Sequence, residues 1–333
     1  MKVKMLNNKN INKNSDERLS IIRRLSFLNS QITYLVLVII TIGIIATVLN
    51  PNFLTLRNFF NIMQQISVLG ILTMCMSLLM ISGGLDISIG NMTGLIAIVF
   101  ARLLLSGKSI FLCIIVSLVL GIILGFINGL IIAKSKVTPL IITLGMNYVF
   151  LGIALIVGGG RPQAITGEFE FLGQAKISGV VPVAIIMFLA IFAFAFLLRK
   201  YTKYGRRLNA IGGNVVAAHL SGINVDLHII SIYALSGLIV GFTSLILISR
   251  LGMVQADVGA NYALQALAAA IIGGITFEGG RGSLVGAFFG VLLFGMLNNA
   301  LNIIGVSSFI QTIVLGAIIV IATVVSNIGK MRR

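Results

Sequence analysis

About ten stretches of this sequence are apolar over nearly the roughly 20 residues that a helix needs to cross a bilayer core. Short polar breaks separate them. The length rule places spans at Ile32–Leu49, Phe59–Ser82, Ser88–Leu105, Ile110–Ala133, Pro139–Val157, Val180–Leu198, Ile229–Ser249, Tyr262–Ile275, Leu284–Ala300 and Ser308–Ser326. The eighth is short for a full crossing. Only 10% of the residues are charged and mean hydropathy is +1.10, whereas soluble domains carry about 25% charged residues. A soluble core cannot absorb such a chain. The expected fold is all-α, a polytopic membrane helical bundle. It comprises one transmembrane domain over 31–333, preceded by a basic tail over 1–30 in which Arg18–Leu28 suits a short interfacial helix.

The net charge of +16 raises the question of nucleic acid. The Lys and Arg residues sit at span ends rather than along a stripe, which is the positive-inside pattern of a membrane protein. With ten spans, most of them fall on one side together with both chain ends. That side is expected to be cytoplasmic, with the bilayer as the surrounding partner and no nucleic acid. The first apolar run is followed by Pro51-Asn52 instead of a small-residue cleavage site, so it reads as a retained anchor.

Several chemistries lack their parts. No Gly-x-x-x-x-Gly-Lys-Ser/Thr occurs, so no nucleotide phosphate cradle is expected. The chain has two histidines, too few for metal-site or triad chemistry. Cys75 and Cys113 lie in apolar runs and read as small hydrophobes. No carboxylate relay suits a proton-coupled carrier. Neither catalysis nor a cofactor is expected.

The longest polar interruption is Tyr204-Gly-Arg-Arg-Leu-Asn-Ala-Ile-Gly-Gly-Asn-Val-Val-Ala-Ala-His-Leu-Ser-Gly-Ile-Asn224, within a basic segment over 199–228. Gly212-Gly213-Asn214 reads as a turn, with Asn214 capping a short helix Val215–Leu220 that Ser221-Gly222 ends. Two turns of helix are not stable alone, so this one is expected to press along the membrane face into a partner. Two further glycine-rich blocks stand out. Gly83-Gly84-Leu85-Asp86-Ile87-Ser88-Ile89-Gly90 should open a helix, with Asp86 as the N-cap of the next. Gly273-Gly274 through Gly279-Gly280-Arg281-Gly282-Ser283 follows the short eighth span. Each reads either as a turn at the membrane face or as a broken helix beside a pathway. Gly121-x-x-x-Gly125-x-x-x-Gly129 and Gly286-x-x-x-Gly290 suit close helix packing.

The three blocks, in this order and spacing, resemble the membrane-spanning permease subunit of ribose-type ATP-binding-cassette importers, within the branched-chain-amino-acid/ribose-type permease family. The similarity runs from about Asn52 to the C-terminus. It implies a bacterial cell-membrane importer for a monosaccharide, working as a permease homodimer or heterodimer with a separate ATPase subunit and an extracytoplasmic sugar-binding protein. It also implies that Gly212, Gly213, Asn214, Ala217, Ala218, His219, Ser221 and Gly222 couple to the ATPase. The gate or pathway would involve Gly83, Gly84, Asp86, Asn91, Asn128, Asn147, Gly279, Gly280, Arg281 and Asn298. The amides among these serve equally well as helix–helix glue. Where family members place acidic residues before the last block, this chain has Ala263 and Gln265. Arg57, Arg161 and Arg250, expected on the outer side against the positive-inside bias, suit docking of the binding protein or anchoring to headgroups. A permease for another small polar solute, such as a furanosyl signal, and a secondary carrier are the rival readings.

Overall fold

The structure, a computed structural model, describes residues 31–331. The tail over 1–30 and its interfacial helix lie outside the described residues. The helices are α1 (Gln31–Leu49), α2 (Leu56–Ile81), α3 (Ile89–Leu105), α4 (Ile110–Ser135), α5 (Pro139–Gly158), α6 (Val183–Tyr201), α7 (Lys203–Gly213), α8 (Val215–Leu220), α9 (Val225–Leu251), α10 (Tyr262–Ile272), α11 (Leu284–Ile303) and α12 (Ser308–Met331). The fold is therefore the expected all-α bundle. Among the described residues, seven helices are long and apolar enough to cross a membrane, and α3, α10 and the start of α12 are shorter apolar helices. Each expected span lands on one helix. Boundaries shift by a few residues: α6, for example, runs on to Tyr201, and α9 starts at Val225, four residues before its expected start, because Asn224 caps it by accepting from Leu227 N.

α2 is the axis of the bundle. From Ile66 to Ile81 it is buried throughout, between α6, α9, α10 and α11. By contrast α1, α4 and α5 expose Ile, Leu, Val and Phe side chains along much of their length. An apolar exterior over a largely apolar core that also buries Ser, Thr and Asn departs from the soluble pattern and suits a lipid solvent. α4 and α9 meet backbone to backbone: a Cβ added at Gly237 would lie 2.0 Å from Gly121 O, and one at Gly125 would lie 2.2 Å from Tyr233 O. Gly286 and Gly290 of α11 press in the same way on Gly273 and on Ala269 of α10. Both small-residue rows thus perform the close packing expected of them.

The bundle has two distinct ends. α7 and α8 lie at one, which carries Arg199, Lys200, Lys203, Arg206 and Arg207 and is termed the basic end. At the other, the strand end, β1 (Gln163–Ala164) pairs antiparallel with β4 (Met253–Val254), and β2 (Lys176–Ile177) pairs with β3 (Val181–Pro182). The polar connector over 158–179 is more than a solvated loop. Its Ile165 and Phe169 are buried, Phe169 packs on Phe100 with ring centroids 4.7 Å apart, and Gly173 N donates to Ser249 Oγ at 2.8 Å.

Candidate functional site

Ser82, Gly83 and Gly84 still donate their N–H groups to the last turn of α2, but the break between α2 and α3 leaves the N–H groups from Leu85 to Ser88 without helical partners, and the protein supplies substitutes. Leu85 N donates to Tyr233 Oη at 3.1 Å, and the same hydroxyl donates to Leu85 O at 2.9 Å. Ile87 N donates to Thr143 Oγ1 at 3.2 Å. Ser88 N and Ser88 Oγ both donate to Asp86 Oδ1, at 2.9 and 2.5 Å. Asp86 is fully buried, and Asn128 Nδ2 reaches both its Oδ2 at 3.3 Å and Ser88 Oγ at 2.8 Å. Ser88 occupies the position before α3 but makes no side-chain cap hydrogen bond. The acceptor at the helix start is the Asp86 carboxylate, two residues earlier than the boundary, which takes the backbone N–H of Ser88. Asn91 Nδ2 donates to Asn147 O at 3.1 Å, joining α3 to α5.

The three glycine-rich blocks, far apart in sequence, meet at one point. Gly280 N donates to Ile81 O at 2.8 Å. A Cβ on Gly212 would lie 2.0 Å from Ile81 O and 2.5 Å from Gly280 N, and one on Gly279 would lie 2.9 Å from Gly83 Cα. Gly279 and Gly280 have φ of +81° and +68°, backbone that glycine adopts without steric cost. The end of α2, the end of α7 and the α10–α11 loop are thus locked main chain to main chain. Gly84 is held beside this junction by Tyr233, while Arg281 is exposed in the loop.

Gly212-Gly213 is the last turn of α7 rather than the expected free turn. Thr202 caps α7 by accepting from Gly205 N, and Tyr204 fastens the helix to α9 by a 2.8 Å hydrogen bond with Ser231 and a stack on His228. Burial raises the Tyr204 phenol above its usual pKa, more than the Ser231 bond lowers it. Asn214 then caps α8 as expected, accepting from Ala217 N at 3.0 Å, and Gly222 ends it at φ +79°. α8 has two faces. Ala218 is buried against Ile211 and Val225, whereas Val216, Ala217, His219 and Leu220 are exposed, Leu220 to 80%. Ser221 is exposed as well.

Towards the strand end lies a cavity of about 480 Å³ between α2, α9, α10, α11 and α12. Six amides line it: Gln65, Asn261, Gln265, Asn298, Asn302 and Gln311, with Arg250 and the ring of Tyr262. No carboxylate is among the lining residues. Gln311 Nε2 donates to Asn302 Oδ1, and Arg250 Nη1 donates to the carbonyls of Gln64 and Gln65 at 3.4 and 3.3 Å. Of the expected pathway amides only Asn298 lies here. Asn91 and Asn128 are in the loop clamp, and Asn299 forms a reciprocal pair with Asn58 at 2.8 and 3.0 Å. Arg57 and Arg161 are exposed at the strand end. Sequence reasoning did not select Tyr233, Thr143, Gln65 or Gln311. The available signal was a polar group recurring inside or at the end of an apolar span.

Residues 58–323 match the family model described as Branched-chain amino acid transport system / permease component. The ribose import permease protein RbsC of Bacillus subtilis is 41% identical over 287 residues, covering 85% of this chain and 89% of its own. The Escherichia coli RbsC is 35% identical over 297 residues, 88% of this chain and 92% of its own. The galactose/methyl galactoside import permease protein MglC of the same species is 35% identical over 328 residues, 93% of this chain and 97% of its own. No solved structure matches the chain.

Replacing Gly212 by Ala should force the junction apart, at the roughly 1–3 kcal/mol typical of overpacking, and lower the unfolding midpoint in detergent. Gly213→Ala, whose Cβ would meet nothing within 4 Å, should leave that midpoint unchanged. Equal midpoints for the two variants would contradict the close contact.

Proposed function

The chain belongs to the family described as Branched-chain amino acid transport system / permease component, and from that premise we propose that it is the permease subunit of an ATP-binding-cassette importer for a monosaccharide of ribose or galactose type. It is a transport permease with several membrane-crossing helices, resident in the cell membrane. The observation that carries the sugar reading is the amide-lined cavity. A sugar presents hydroxyls that both donate and accept, and primary amides do the same. A lining of amides, with Arg250 its one charged member, lets the hydroxyls change partners without being held tightly, while the Tyr262 ring offers a flat apolar face to sugar C–H groups.

The orientation in the membrane follows from the charge at the two ends. The basic end is assigned to the cytoplasm by the positive-inside rule, which puts both chain ends there and the strand end outside. A separate ATPase subunit then meets α8 through its exposed face. Its motion would reach the α2–α3 break and the α10–α11 loop through the glycine junction at Gly83, Gly212 and Gly279-Gly280, with the clamp around Asp86, Asn91, Asn128 and Asn147 holding the gate in shape. At the strand end a sugar-loaded binding protein docks on Arg57, Arg161 and Arg250. Arg250 belongs to both the docking surface and the cavity mouth. The working unit is a dimer of permeases.

Uptake of labelled ribose and galactose by cells carrying this chain with its ATPase and binding protein tests the reading. Uptake should stop on ATP depletion and survive a protonophore while ATP is maintained; the reverse would mean a secondary carrier. Replacing Asn298 and Gln265 by Leu should cut uptake at subsaturating sugar about tenfold, the effect expected from losing one or two hydrogen bonds, with expression unchanged. Ala217→Arg should leave the fold intact yet disconnect ATP hydrolysis from uptake, since its side chain projects from the exposed face of α8. Normal coupling in that variant would remove α8 from the ATPase contact. Glu at Arg57 and Arg161 should raise the concentration of binding protein needed for half-maximal uptake, and raised salt should mimic this because exposed charges are screened within about 8 Å at physiological ionic strength.

A further inference from the structure

A second cavity, of about 360 Å³, opens at the basic end between the last turns of α6, the side of α7 and the start of α11. Arg199, Lys200 and Arg206 line it together with Asn209, Gly282 and Ser283. We propose that it binds a phosphate group, that of an anionic phospholipid in the leaflet at the basic end.

The charge balance of the cavity points to an anion. No acidic residue lines it, and the Lys134–Asp226 ion pair lies elsewhere. Three cations around one concavity repel each other, so the arrangement asks for an anion between them. Arg199 is half-buried and spends only its Nε on the protein, donating to Asn209 Oδ1 at 3.4 Å; its two Nη groups have no acceptor among the described residues. A guanidinium with both outer nitrogens unspent matches the oxygens of a phosphate in the bidentate manner. The start of α11 adds to this. Ser283 caps that helix, accepting from Gly286 N, and the positive end of a 20-residue helix dipole faces the same space.

The position selects a lipid as the source of the phosphate. α6 is an apolar spanning helix up to Leu198, and the cavity lies where its apolar run gives way to Arg199 and Lys200. Lys200 Nζ stands 5.2 Å from the ring centre of Phe196 and 5.3 Å from that of Tyr201. Phe196 and Leu284 form apolar walls beside the cations. A cation cluster edged by apolar side chains at the end of a span sits at headgroup depth, where basic pockets between helices take anionic headgroups. Occupancy would also have a mechanical effect. One phosphate would tie α6 and α11 to Arg206 and Asn209 on α7, within two turns of the Gly212 contact.

The full-length chain, reconstituted in nanodiscs of phosphatidylcholine with a minor share of phosphatidylglycerol, is the material for the test. Native mass spectrometry reads which lipids stay bound. The unmutated chain should retain phosphatidylglycerol in preference to phosphatidylcholine. Arg199→Gln with Arg206→Gln should reduce that preference about tenfold or more, from roughly 1 kcal/mol per cation. The charge-matched Lys203→Gln with Arg207→Gln, at exposed positions outside the cavity, should retain most of it. Equal losses in the two variants, or no preference in the unmutated chain, overturn the site. Displacement of the lipid by millimolar inorganic phosphate would move the assignment to a soluble phosphate and overturn the lipid source. A photoactivatable phosphatidylglycerol on the unmutated chain keeps the test valid even if the double variant does not fold. Its adducts should map to residues 196–209 and 282–284, and adducts confined elsewhere, or a cavity covered by the ATPase subunit instead of lipid, refute it.

Discussion

The structure depends on one constraint: no backbone N–H or C=O can be left unpaired where water is absent. A straight helix meets it automatically, and a broken one does not. Of the N–H groups between α2 and α3, those of Ser82, Gly83, Gly84, Leu85, Ile87 and Ser88 donate to Tyr233, Thr143, Asp86 or neighbouring carbonyls, and Leu85 O accepts from Tyr233. Leaving one such group unsatisfied would cost about 1–3 kcal/mol. The break therefore exists only because α5 and α9 bring hydroxyls to it, and those helices are placed by their own packing.

Close packing supplies that placement. Between helices surrounded by lipid there is little hydrophobic gain, and contact area at short range takes over. Glycine provides it twice over in this bundle. Along α4 and α9 it brings two helices into backbone contact, which sets Tyr233 at the right height to clamp Leu85. At the junction of Gly83, Gly212 and Gly279-Gly280 it removes the space that side chains would otherwise need, so that a hydrogen bond from Gly280 N to Ile81 O can form between segments about 200 residues apart in sequence. The exposed Lys134–Asp226 pair at 2.8 Å links α4 to α9 as well, but ion pairs of that exposure contribute under about 1 kcal/mol.

The polar groups divide into two kinds by whether their hydrogen bonds are already used. Asp86, Asn58 and Asn299 are buried and spend theirs on neighbouring side chains or backbone, as does Asn128 Nδ2, while Asn128 Oδ1 has no partner among the described residues. They stabilise the architecture. Gln65, Gln265 and Asn298 line open volume and have capacity to spare for a solute. The same distinction separates Arg250, engaged with two carbonyls, from Arg199, whose outer nitrogens are unused.

The sequence by itself determined the helical class and the near-complete set of spans, because burial in lipid imposes length and apolarity on each segment separately. It also determined the cap and stop of α8, since Asn214 and Gly222 act on residues within one turn of themselves. Where Gly212 and Gly213 lie in α7 instead of a turn, contacts with Ile81 and Gly280 outweighed the local preference. Only the tertiary structure decided that three glycine blocks form one junction, and that Asn298 faces a cavity while its neighbour Asn299 pairs with Asn58. An amide reads the same in sequence whether its partner is a helix or a solute. Which it meets depends on the rotation of one helix against others, and that is set by contacts between residues far apart along the chain.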